Sequence, residues 1–166
     1  QDVVKATVYL KDLNDRERCL NDLWRQQFPQ EPPARTCVEA GVGKTRVEFD
    51  FIVGLPGRGE TRRKVKAGVT YGGLLFTSGH CNQGESGAAE LEENFARLGQ
   101  GLAEVGAAWP DVVKGTVFLS DIYDRERYVD SAWKNRFPQS PPARTCIQAG
   151  CGRARNEVEL VVALPD

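Results

Sequence analysis

The hydrophobic pattern of the C-terminal two thirds alternates between strand-like and helix-like periods. Two short apolar runs, Lys66 to Tyr71 and Leu74 to Ser78, flank Gly72-Gly73 and predict a β-hairpin. From Ala88 to Val105, Leu91, Phe95, Leu98 and Leu102 recur at helical spacing. Glu90, Glu92 and Glu93 fall in the first turns, where the helix dipole favours acids, and Gly106 sits where a helix C-cap would. Val112 to Leu119 is rich in β-branched residues and predicts a strand. Asp124 is a candidate cap for a second helix through about Arg136, which carries Tyr128, Val129, Ala132 and Trp133. Pro141-Pro142 prevents continuation, and Thr145 to Ala149 and Glu157 to Ala163 read as closing strands. The order ββαβαββ predicts an α+β fold: one mixed sheet with two helices on one face. The bare face of that sheet then needs a cover.

The pattern also repeats. DVVKATVYLKDLNDRER from Asp2 matches DVVKGTVFLSDIYDRER from Asp111, and FPQEPPARTCVEAGVG from Phe28 matches FPQSPPARTCIQAGCG from Phe137. The offset that takes Asp2 to Asp111 also takes Pro56 to Pro165, with no gap between, and more than half of the aligned positions are identical. The expected layout is half a domain over 1–56, a polar linker over 57–63 and a complete domain over 64–166. The first copy reads βαββ. Alone, so short a chain buries too little surface, so it is expected to pack on the other copy, another chain or an upstream half.

Composition narrows the function classes. Hydrophobic residues make up 40% and charged residues 27%, with a net charge of -1, so no general attraction to nucleic acid is expected. No apolar run is long enough to span a bilayer as a helix. The five cysteines form no C-x-x-C pair, and their odd number fits a reducing compartment, the cytoplasm or an organelle matrix. The sequence has no methionine, which raises the expectation of a piece of a longer protein.

DVVKGTVFLSD, a short helix, FP-x-x-PPARTC and an acidic-apolar last strand together resemble the C-terminal half of the YjgF/RidA family, and LLFTSGH resembles that family's second strand. The resemblance covers residues 66–165 as a whole unit and 2–56 as a half. It implies a chorismate-mutase-like fold, a trimer or pseudo-trimeric ring of units with clefts between neighbours, and no cofactor or metal. The implied activity is hydrolysis of small 2-imino or 2-enamino acids to 2-keto acids and ammonia.

Arg144 is the first candidate, because a guanidinium fork holds a carboxylate bidentately and a small imino acid has little else to grip. Glu159, thirteen residues beyond Cys146, matches the family's acidic position and would orient water or relay a proton. Glu157 shares its strand face. Cys146 matches a family position and reads as a small pocket-lining residue, because the single histidine, His80, is far away in sequence. Ser78 and Gly79 match the family's Ser-Gly pair and could face the substrate with a hydroxyl or a backbone N–H. The first copy offers Arg35, Cys37 and Asp50 as counterparts but no Ser-Gly pair, so its pocket needs a wall from another unit. The family's Gly-Pro-Tyr segment is missing before the first strand, His80 stands in place of Gln, and Asn21 has Asp130 as its counterpart. Two other functions compete. One is a non-catalytic binding or assembly module of a larger enzyme such as a diphthine–ammonia ligase. The other is a ribonuclease or translation inhibitor, against which stands the lack of a basic stripe with interleaved aromatics.

Overall fold

The computed structural model describes residues 2–55 and 60–165, which form two sheets stacked face to face. The first sheet has strands β1 (Val3–Leu10), β2 (Ala34–Glu39) and β3 (Val47–Val53) in the order β2-β1-β3. A π-helical turn, Arg16–Leu20, leads into helix α1 (Asn21–Gln27) between β1 and β2. The second sheet has six strands in the order β4-β5-β6-β9-β7-β8. These are β4 (Arg63–Lys64), β5 (Gly68–Tyr71), β6 (Leu74–Thr77), β7 (Val112–Leu119), β8 (Ala143–Gln148) and β9 (Asn156–Ala163). Helix α2 (Gly87–Ala103) joins β6 to β7, and the π-helical turn Arg125–Val129 with helix α3 (Asp130–Arg136) joins β7 to β8.

The expected element types are present, with shifted edges. Gly72 and Gly73 both take positive φ, 60° and 70°, as a two-residue hairpin turn of left-handed residues requires. Arg63, at the end of the expected linker, and Lys64, the first residue of the expected domain, form a short edge strand on β5, too brief to show a hydrophobic period. Residues 57–59 of the expected linker lie outside the described residues. Ser86 caps α2, its hydroxyl accepting from the Ala89 N–H at 3.2 Å. Glu90 is buried rather than free near the dipole, and accepts from the Arg155 backbone N–H at 2.6 Å and its guanidinium at 2.8 Å. Asp124 does not cap its helix; its carboxylate takes the Arg127 guanidinium and the Tyr128 hydroxyl, both at 3.0 Å.

Both helices of the larger unit cover one face of its sheet. Leu91, Phe95, Leu98 and Leu102 of α2 meet Val117, Leu119, Val158, Leu160 and Val162 in one buried cluster with Trp133 and Phe137. The opposite face receives the three-stranded sheet. Val4 and Ala34 pack on Val69 and Phe76, and Val38 packs on Phe118, Ala149 and Cys151. A buried polar brace crosses the same interface: the Lys5 ammonium reaches Glu159 at 2.7 Å, the Thr36 hydroxyl at 2.6 Å and the Thr77 carbonyl at 2.8 Å. Burial is the first influence on Lys5 and lowers its pKa; the ion pair with Glu159 opposes this.

The two segments that repeat in sequence also fold alike. β1 pairs parallel with β2 (Lys5 opposite Ala34) as β7 pairs with β8 (Lys114 opposite Ala143). Each central strand has an antiparallel neighbour, β3 or β9, with a bulge at the matching place. The segments differ in what surrounds them. β9 has β6 on its far edge, whereas β3 is exposed along its whole length.

Candidate functional site

The outer edge of β2 runs along the larger unit, which satisfies its backbone groups. The Arg35 N–H donates to the Ser78 hydroxyl at 3.3 Å, and the Gly79 N–H donates to the Arg35 carbonyl at 3.1 Å. Glu39 and Gly150 exchange N–H···O bonds of 2.8 and 2.9 Å. Strand alternation then sends Arg35 and Cys37 to the α1 side of β2, while Thr36 faces the interface. The rigid Pro32-Pro33 lead-in precedes this strand.

Arg35 is half-buried. Its Nη2 donates to Asn21 Oδ1 at 2.8 Å, and the guanidinium carbon lies 5.1 Å from the centroid of the Trp24 ring. Its Nη1 is buried and, among the described residues, has no hydrogen-bond partner. A guanidinium nitrogen left in this state is costly unless an acceptor comes to it. Burial pulls the Arg35 pKa down, with nearby Arg16 acting in the same direction.

Glu157 is the carboxyl that faces this edge. Burial pushes its pKa up to about 7; Glu159 also raises it, while Lys5, Arg16 and the Cys37 N–H act against the rise. A Cβ built on Gly79 would sit 1.9 Å from Glu157 Oε1, so the approach is possible only with glycine there. Glu159, two residues on, is held instead by Lys5 and by the Thr36 hydroxyl at 2.5 Å. Asp50 lines a small cavity of 100 Å³ with Lys5, Lys114 and Glu159, away from Arg35.

Cys37, Cys81 and Cys146 are not poised as nucleophiles. Burial pushes Cys37 and Cys81 up to about 11 and raises Cys146. Burial also lowers the His80 pKa, and its Nδ1 lies 3.0 Å from the Ser78 carbonyl. Among the described residues no cluster of three or more His, Cys, Asp or Glu could hold a metal ion.

Beside this edge opens a cleft of 760 Å³ between the Arg16 turn of the smaller unit and the 81–83 and 151–154 loops of the larger. Arg144 and Cys146 line the counterpart groove, 360 Å³, with Ile122, Tyr123, Arg125 and Glu126. There the Arg144 guanidinium is paired with Asp130, the residue in the place of Asn21, and lies over Trp133 at 5.4 Å. The edge of β8 meets no Ser-Gly pair within the described residues; Ser78 and Gly79 stand against Arg35.

Two contributors lay outside the sequence candidates, and each had a signal in the repeat. Glu48 and Glu157 are identical at matching positions, whereas Asp50 and Glu159 differ; Arg16 and Arg125 are identical as well.

Residues 61–163 match the profile of the family described as Endoribonuclease L-PSP. The chain belongs to that family. Among curated L-PSP relatives, a RutC family protein of Pyrococcus abyssi is 53% identical over 52 residues, which cover 31% of this chain and 37% of that protein. A RutC family protein of Synechocystis is 31% identical over 90 residues, covering 48% and 68%. The chain spans little more than a third of the length of the Pyrococcus abyssi and Pyrococcus horikoshii relatives. Solved structures agree on the fold. An endoribonuclease L-PSP from Entamoeba histolytica is 25% identical with a TM-score of 0.54, covering 58% of this chain and 84% of its own. A YjgF family protein from Neisseria meningitidis is 25% identical with a TM-score of 0.55, covering 59% and 85%. The fold is thus the α+β, chorismate-mutase-like fold of L-PSP/YjgF proteins. No helix among the described residues is long and apolar enough to cross a membrane.

Proposed function

We propose that this protein hydrolyses small 2-imino and 2-enamino acids to 2-keto acids and ammonia, at the cleft where β2 meets the Ser78-Gly79 end of β6. The observation that carries the reading is the buried, unpartnered Nη1 of Arg35. It offers a charge-assisted hydrogen bond to a carboxylate beside a carboxyl whose pKa is about 7. An enamine first tautomerises to the imine. Ionised Glu157 takes a proton from water as the water oxygen bonds to C2 of the protonated imine. The resulting carboxylic acid passes that proton to the nitrogen of the tetrahedral adduct. The C–N bond then breaks, ammonia leaves, and the hydroxyl gives its proton to the Glu157 carboxylate as the C=O closes, from which it returns to water. A group titrating near neutral pH suits both halves of this relay.

The same reading treats the chain as one and a half L-PSP units, supported by the matching sequence and strand register of its two repeated segments. It gives Arg144 and Cys146 the corresponding role in a second cleft, which requires a Ser-Gly wall from another unit. Association with further units follows from this.

The test is ammonia release from freshly generated 2-aminoacrylate. Arg35→Ala is expected to lower the rate by about a hundredfold, the scale of losing one positioned transition-state contact. In the isolated chain Arg144→Ala retains most of the rate. An unchanged rate in Arg35→Ala would leave a non-catalytic ligand-binding module as the better description.

A further inference from the structure

We infer that Asn21 is the positioning residue that makes the Arg35 edge selective for a free carboxylate, because it holds the guanidinium without neutralising it; this rests on the deaminase reading of that edge. Its counterpart Asp130 does the opposite, filling the same place on Arg144 with a carboxylate of the protein's own. The two arginine edges are therefore not duplicates, and the residue at 21 or 130 sets which charge each accepts.

Both arrangements stand side by side in one molecule. Asn21 opens α1 and Asp130 opens α3, each directly after a π-helical turn that begins Arg-Glu-Arg. Their backbone dihedrals are nearly equal, φ -61° and ψ -38° for Asn21 against φ -62° and ψ -40° for Asp130. In each place the arginine Nη2 donates to the side-chain Oδ1, at 2.8 Å in the Asn21 pair. In each place the guanidinium lies over a tryptophan, Trp24 at 5.1 Å or Trp133 at 5.4 Å. Position, backbone and acceptor atom match, so what separates the two edges is an amide against a carboxylate.

That difference is one whole charge. The Asn21 amide orients the Arg35 fork and leaves its charge available. Among the described residues Arg35 is in no ion pair, and its buried Nη1 has no hydrogen-bond partner. Asp130 instead forms an ion pair with Arg144, a charge-assisted bond stronger than a neutral one. In the 360 Å³ groove that Arg144 and Cys146 line, Arg125 is taken as well, by Glu126 at 2.7 Å. A carboxylate that reaches Arg144 must displace one tethered beside it, which competes at an effective concentration of roughly millimolar even on a flexible link. Once displaced, Asp130 stays next to the incoming anion, and two carboxylates sharing a site repel. A carboxylate arriving at Arg35 meets neither obstacle from residue 21.

The matched probes are pyruvate and pyruvamide, oxo compounds of nearly equal shape of which only the first is charged. Calorimetry on the wild-type chain is expected to show tighter binding of pyruvate, by about tenfold, the effect of one charge-assisted contact. Asn21→Asp should erase that preference by weakening pyruvate about tenfold, while pyruvamide stays within about twofold of wild type. The variant installs what α3 already holds at the matching place, so the fold accommodates it. Asn21→Ser, which keeps a neutral oxygen, should retain the preference for pyruvate. An equal loss of both probes in Asn21→Asp, or a preference for pyruvate that survives it, would overturn the inference and leave the Arg35 reading standing. Equal wild-type affinity for the two probes, or unchanged pyruvate binding in Arg35→Ala, would instead overturn the reading of the edge, and the inference with it.

Discussion

At the scale of single residues, the chemistry turns on how closely Gly79 and Glu157 approach. The space a Cβ would need at Gly79 is occupied by the Glu157 carboxyl and, at 2.9 Å, by the Thr36 hydroxyl. Gly79→Ala is therefore expected to displace Glu157 and abolish most ammonia release, with a fall in Tm read by thermal unfolding. Glu157 also imposes a pH dependence on stability. Its pKa is raised in the folded protein from an ordinary 4.5 to about 7, so the native state holds a proton that the unfolded chain has released. Stability linked to this group is fully present below the unfolded value and is lost as pH rises through the folded one. The slope between those limits is at most about 1.4 kcal/mol per pH unit. Lys5, Glu159, Arg16, Cys37, Cys81 and Cys151 are the titratable groups that couple to it. Denaturant melts of Glu157→Gln between pH 4.5 and 7 should be flatter than those of wild type; parallel curves would contradict the assignment. The sequence offered Glu157 only as a strand-face companion of Glu159. Counting thirteen residues from Cys146 is blind to the loop through Gly150–Arg155, which sets which carboxyl meets β2. The identity of Glu48 and Glu157 at matching places in the repeat was the better guide.

At the scale of elements, the periodic patterns carried the fold because each reported a real burial face. The α2 stripe is buried, and β7 was bounded from Val112 to Leu119. What periodicity could not carry were features made by pairing alone: the two-residue β4, the π-helical turns and the β2 edge bonds to Ser78 and Gly79. Ala6 and Gly115 occupy matching positions on the two central strands, and their difference has a packing reason. A Cβ at Gly115 would lie 2.4 Å from the Trp133 ring and 3.2 Å from Leu160. Trp133 is buried among Phe95 and Phe137, and cannot yield as its counterpart Trp24 can in the thinner unit. Gly115→Ala should therefore destabilise the protein by about 1–3 kcal/mol through overpacking, measured by urea unfolding. Ala6→Gly should cost only about 0.5–1 kcal/mol, the usual backbone term for glycine in a regular element.

At the scale of the whole molecule, the smaller unit is incompletely covered: the Arg16–Leu20 turn and α1 bury Val8, Leu10 and Cys37 but leave β3 bare. Its sheet buries Val4, Ala34 and Val38 against the larger unit, yet β3 exposes Phe49, Phe51, Ile52 and Val53 by 41–52% each. Phe49 and Phe51 stack at 5.5 Å with no further ring beyond them among the described residues. A strand with a free edge and an apolar face is a template for further pairing. The larger unit shows what satisfies such a strand: β9 has β6 of a hairpin on its edge and α2 across its face. Pro110 directly precedes the position that matches Asp2, so placing a second copy of residues 64–110 ahead of Asp2 would supply an equivalent hairpin and helix in register. This extended chain is expected to melt at higher temperature and to bind less of a hydrophobic dye than the chain itself. The chain alone should sediment as an oligomer at micromolar concentration, and replacing Phe49 and Phe51 by lysine should shift it toward monomer while leaving the Arg35 cleft intact. A compact monomer at that concentration, with no thermal gain from the added segment, would mean that β3 is stable uncovered and that the exposed phenylalanines mark no contact surface.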